Sequence, residues 1–123
     1  MRELKFRVWD NLKKEWLKRK VYHSSISLNE SGIGEFIFKQ HPEGYTIQQY
    51  TGLKDKNGRD IYEGDIVRYS LGGDNDMIFI EQIAWEHNGW VFLSFDGRSA
   101  NPLFFLPSLE IIGDIFENPE LLK

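Results

Sequence analysis

Cysteine is absent from this 123-residue chain, which excludes disulfides, thiolate metal sites and a cysteine nucleophile. Such a composition suits a reducing compartment. No apolar run approaches the roughly 18 residues needed to cross a bilayer, and the opening Met1-Arg2-Glu3-Leu4-Lys5 lacks the apolar stretch of a signal peptide. The expectation is a soluble, cytoplasmic protein with no membrane partner. Histidine is scarce: His23, His41 and His87 lie far apart, without the close spacing that a zinc site uses. There is no G-x-S-x-G elbow and no G-x-x-x-x-G-K-[ST] loop, and Gly72-Gly73 has no lysine placed to hold phosphates. The chain is therefore read as non-enzymatic, with no catalytic residue, no cofactor and no metal.

Aromatic residues, in contrast, are plentiful: nine Phe, five Tyr and four Trp supply the core of one compact domain. The net charge of −4 conceals a division along the chain. Through residue 20 there are eight basic side chains (Arg2, Lys5, Arg7, Lys13, Lys14, Lys18, Arg19, Lys20) against three acidic ones, a surplus of five, while the rest has seven basic against sixteen acidic. A basic arm on an acidic body has three readings: a solvated face, a contact between copies, or a phosphate-binding patch in which Lys13, Lys14, Lys18, Arg19 and Lys20 converge. Phe6, Trp9 and Trp16 interleave with these cations and offer base stacking, although aromatics alternating with charges also mark one buried face of a strand.

The patterning is that of a mainly β protein. Glu3 to Trp9 and Trp16 to Tyr22 read as an N-terminal hairpin, Ser24 to Gly34 as a loop, and Glu35 to Lys39 and Tyr45 to Tyr50 as short strands. In YTGLKDKNGRDIYEGDIVRY, residues 50 to 69, Gly52, Gly58 and Gly64 offer places for positive φ, and Asp65 to Tyr69 enters a strand. The segment Asp55-Lys56-Asn57-Gly58 fails as a calcium loop, since Leu53 and Gly64 stand where the first carboxylate and the bidentate Glu belong. Asp65, a short acid after Gly, suits the capture of turn amides. Asn88-Gly89 predicts a two-residue turn that sets Trp85 opposite Phe92 and Ile83 opposite Ser94, on a buried face. Ile83 and Trp85 are out of phase with Ile78 and Ile80, which predicts a bulge near Glu81-Gln82. Leu109 to Phe116 reads as a last, interrupted strand, and Asn118-Pro119-Glu120 as the capped start of a helical turn. Five short strands after Gly64 and a closing helical turn have the content of an SH3-like small barrel, which an open meander shares. Residues 1–50 form the N-terminal β region and 51–123 the barrel region, expected as one compact unit.

The central string, together with the opening MRELKFRVWD and the closing EIIGDIFENPELL, resembles the YopX family of small phage and prophage proteins. The resemblance implies a mainly β fold with an SH3-like part, and it brings no established activity or cofactor. It brackets Tyr50, Gly52, Leu53, Asp55, Gly58, Tyr62, Gly64 and Asp65 as a family motif, whose residue types point to turn geometry and packing. The expectation is an accessory module of phage or prophage in the host cytoplasm that binds a protein or itself as a homo-oligomer. The alternative partner is nucleic acid, through the basic arm.

Overall fold

The computed structural model describes residues 5–17, 21–22, 44–72, 76–86, 89–104 and 106–122. The chain divides into two compact units, Met1–Tyr50 and Thr51–Lys123, and the division falls inside one strand.

In the first unit β1 (Lys5–Asp10) is central. It pairs antiparallel with β2 (Glu15–Trp16) and β3 (Val21–Tyr22), and with the first half of β4 (Tyr45–Lys54) from Phe6↔Gln49 to Asp10↔Tyr45. The expected hairpin is present, with its return strand in two pieces. Val8 is buried among Phe6, Leu17, Tyr45 and Ile47, so this unit carries its own small apolar cluster. Asp10 ends β1 by accepting the N–H groups of Leu12 and Lys13, both at 3.0 Å, which folds the tip of the hairpin onto its own backbone. The strand expected at Glu35 to Lys39 lies outside the described residues.

The second unit contains β5 (Asp60–Tyr62), β6 (Asp65–Ser70), β7 (Ile78–Glu86), β8 (Gly89–Leu93), β9 (Ala100–Pro102) and β10 (Glu110–Asp114). Five of these form an antiparallel sheet in the order β10-β6-β7-β8-β9. The last strand thus returns beside the first of a meander, the connectivity of an SH3-like barrel, and the sheet curls into a half-barrel. Its inner face packs Ile61, Val67, Tyr69, Ile83, Phe92, Leu109 and Ile111 into one cluster, with Leu53, Phe79 and Trp90 against it. The chain closes in a 3-10 turn, Pro119–Leu122.

Several local expectations are corrected by the register. Trp85 pairs with Trp90 and Ile83 with Phe92, because Glu86↔Gly89 closes the hairpin and Gly89 is already strand. Turn chemistry at Asn88-Gly89 is overridden by burial: the observed register sets Ile83 against Phe92, both fully buried, where the expected one sets Ile83 against a serine. Trp85 does share a face with Phe92, yet at the mouth of the hairpin it is 47% exposed. No bulge interrupts β7, whose pairing with β6 runs evenly from Ile66↔Gln82 to Ser70↔Ile78. Phe79 and Ile83 point inward with Glu81, and Ile78 and Ile80 point outward. The irregularity lies in β10 instead, between Ile111 and Gly113. Asn118 does not cap the closing turn with its side chain; its Oδ1 reaches back to the N–H of Asp114 at 3.2 Å.

Candidate functional site

The segment from Tyr50 to Asp65 contains the second half of β4 and two turns, and each glycine in it has positive φ, Gly52 inside the strand and Gly58 and Gly64 in the turns. Gly52, Gly58 and Gly64 have φ of +94°, +80° and +86°, a region costly to any residue with a Cβ. Gly64 donates its N–H to Ile83 O at 2.8 Å and accepts from Ile115 N at 2.9 Å, so it ties the β5–β6 turn both to β7 and to the chain after β10. Asp65, buried, accepts the N–H of Tyr62 on Oδ2 at 2.7 Å and closes the same turn. Thr51 donates to Ile61 O at 2.7 Å and its hydroxyl accepts the N–H of Leu53 at 3.1 Å. Tyr50 and Tyr62 are buried, and Lys5 Nζ stands 4.6 Å over the Tyr50 ring.

Asp55 gathers three backbone N–H groups. Oδ1 accepts the N–H groups of Asn57 and Arg59, both at 2.9 Å, and Oδ2 accepts the N–H of Ile111 at 3.0 Å. Lys56 N adds a bond to Leu109 O at 2.8 Å. The Asp55-Lys56-Asn57-Gly58 turn is therefore docked along β10, where it satisfies groups that a further strand would otherwise take. Burial, the largest influence on the Asp55 carboxyl, raises its pKa. The N–H groups of Ile111, Arg59 and Asn57 with the Arg59 charge outweigh it, and the pKa lies below the ordinary value. A carboxylate so occupied has little left for a cation. Among the described residues, no three His, Asp or Glu side chains gather as a metal site.

The basic arm is divided in the structure. Arg7 stacks on Trp16, its guanidinium carbon 4.1 Å from the ring centre, and donates to Gln48 Oε1 at 3.2 and 3.0 Å. Trp16 in turn meets the buried Trp9 edge-on at 5.0 Å. Lys13 and Lys14 are exposed beside Leu12 at the tip of the β1–β2 hairpin, with Lys14 at φ +59°. Lys18, Arg19 and Lys20 lie outside the described residues, so the convergence of all five is not placed.

Sequence reasoning missed a set of exposed apolar side chains that lies on both faces of the sheet, Ile78 and Ile80 on the outer face and Trp85 on the face of Phe92. Met77, Ile78, Ile80, Phe95 and Phe104 are exposed, as is Trp85, which meets Trp90 edge-on at 4.9 Å. The signal was present in the phase mismatch between Ile78/Ile80 and Ile83: the two isoleucines occupy the outer face of an unbroken strand. Inside the barrel, the Tyr69 hydroxyl donates to the buried Glu81 carboxylate.

In comparison with known proteins, residues 5–123 match the YopX protein family. No curated protein matches. Among solved structures the chain is similar to the crystal structure of protein EF1440 from Enterococcus faecalis, with 28% identity, a TM-score of 0.67 and 100% of each chain covered. The match spans nearly the whole sequence and includes the central segment with its two turns, and the chain belongs to the YopX family.

Proposed function

We propose that this chain is a non-enzymatic binding module of phage or prophage that works through protein contacts, including contacts with its own copies, in the host cytoplasm. One observation carries this reading. Asp10, Asp55, Asp65 and Asp114 are each committed to backbone N–H groups of turns or strands, while Met77, Ile78, Ile80, Trp85 and Phe104 are left exposed. Polar side chains that organise the fold, beside apolar ones that leave it uncovered, favour an interaction surface over a reaction centre. Family membership supports the phage setting.

The alternative, a nucleic-acid-binding accessory protein, draws its support from Lys13 and Lys14 at the hairpin tip; the engagement of Arg7 with Trp16 and Gln48 weighs against it. The two are separated by sedimentation of the purified chain at low and high salt beside a nucleic-acid titration. The titration is repeated on a variant with Lys13, Lys14, Lys18, Arg19 and Lys20 all changed to Ser. An assembly that changes little with salt and ignores nucleic acid is the expected result. A monomer that binds DNA or RNA only through those residues, with affinity falling steeply as salt rises, overturns it.

A further inference from the structure

The edge of β7 is only half covered. β6 pairs with it through Ile78–Gln82, whereas β8 pairs with it only through Gln82–Glu86. On the β8 side, Ile78 to Glu81 therefore has no neighbouring strand among the described residues. Alternation fixes which backbone groups face that side. Gly64 donates to Ile83 O, so Ile83 bonds toward β6, and Glu81 and Phe79 follow it two residues at a time. The even-numbered residues bond the other way, toward β8, beginning with Glu86 opposite Gly89. Ile78 and Ile80 consequently aim N–H and C=O into the open side. Their side chains are 59% and 40% exposed, and Met77 beside them is 63% exposed. This stretch carries no lysine, proline or bulge, three of the devices that blunt an edge, and its inward charge, Glu81, is held by the Tyr69 hydroxyl inside the sheet.

We infer that Ile78–Ile80 is a self-pairing edge, at which a second copy of this chain adds its own β7 antiparallel about a two-fold axis through Phe79. The inference rests on the self-assembly reading above and names its surface. The argument for a second copy is self-complementarity. In this register Ile78 of each copy faces Ile80 of the other, and both residues already point their donors and acceptors outward, so four hydrogen bonds form without rearranging β6. The same register covers two cross-strand isoleucine pairs. A shift by one residue opposes Phe79, whose backbone groups are turned toward β6, and forfeits the ladder. Longer overlap is blocked where β8 takes over β7 at Gln82. With Met77 beside it, the contact is small, in the range of weak and transient interfaces, so the expected dimer is a weak one.

The test is sedimentation equilibrium of the full chain across a concentration series, beside Ile80→Lys and Ile78→Pro. Both substitutions sit on the open side: the lysine adds a charge to the exposed face, and the proline removes an N–H that β6 does not use. The expected result is a dimerising wild type and a dissociation constant raised at least tenfold in each variant, with unchanged circular dichroism. Because the chain has no cysteine, Ile78→Cys mixed with Ile80→Cys gives an independent reading. The mixed disulfide should dominate over either homodimer, since directly opposed residues lie about 5.5 Å apart at Cα, within disulfide reach. A dimer that persists in both variants, or equal yields of all three disulfides, sinks the edge and leaves self-assembly standing. A wild type that stays monomeric throughout the series removes both.

Discussion

The carboxylate of Asp55 holds the N–H of Ile111 at 3.0 Å across 56 residues of sequence. It does for β10 what a neighbouring strand would do, with one side chain in place of a ladder. Asp55→Ala strips an acceptor from three N–H groups at once and should destabilise the protein by about 2–4 kcal/mol in urea unfolding. Asp55→Asn keeps one acceptor oxygen and should cost less. The folded pKa of Asp55 is depressed, so its contribution is whole above its unfolded pKa and is lost as pH falls through the folded one. Stability measured below about pH 4 should therefore fall less steeply with acid in Asp55→Asn than in the wild type. Parallel curves would show that the acid lability lies elsewhere.

On the alkaline side the group to watch is Tyr69. Burial first, then its hydrogen bond to Glu81 and the nearby negative charge, push the phenol well above its ordinary range. A raised folded pKa means the stabilisation is complete below the unfolded pKa near 10 and disappears as pH climbs toward the folded value. Ultraviolet titration should show a tyrosine component that ionises only with unfolding, and its amplitude should fall by one tyrosine in Tyr69→Phe.

Trp85 and Phe92 share a face of the sheet and differ in burial. Phe92→Ala should cost about 3–5 kcal/mol, while Trp85→Ala should cost about 1 kcal/mol or less, the value of its edge-on contact with Trp90. Thermal melts of the two variants decide this. A large loss at Trp85 would mean that its ring supports the core.

A Cβ on Gly113 would stand 2.7 Å from Asn118 Oδ1 and 2.8 Å from Asn118 Cβ. Gly113→Ala should therefore destabilise by about 1–3 kcal/mol, and Asn118→Gly should restore part of that loss. A double-mutant cycle with no coupling would place the strain elsewhere. Gly64→Val, with φ at +86°, should cost a similar amount and have no such rescue.

What could be read in the sequence was local. The strands β4, β6, β7, β8 and β10, the positive φ at Gly52, Gly58 and Gly64 and the closing turn all follow from residues within a few positions of one another, whereas the short β5 and β9 left no such signal. The Asn88-Gly89 register was not legible, because the pairing is decided by the burial of Ile83 against Phe92, which turn preference does not see. Asp55 was visible as a turn residue, and its partner Ile111 was not, since no periodicity links positions so distant. The outward isoleucines of β7 were misread for a related reason: an apolar side chain was assigned to the inner face, and the surface it belongs to has no sequence pattern of its own.

The return of β10 beside β6 also bears on how the chain folds. Arg68 and Glu110 meet across 42 residues, and the Asp55 turn waits longer still for Ile111. The first strand of the meander can be synthesised, paired with β7 and left exposed on its other side until the ribosome has released residues 110–114. Loop closure of that length places the sheet among slow-folding topologies, so its docking step is expected to limit the rate and to be the window in which nascent chains are most vulnerable to mispairing.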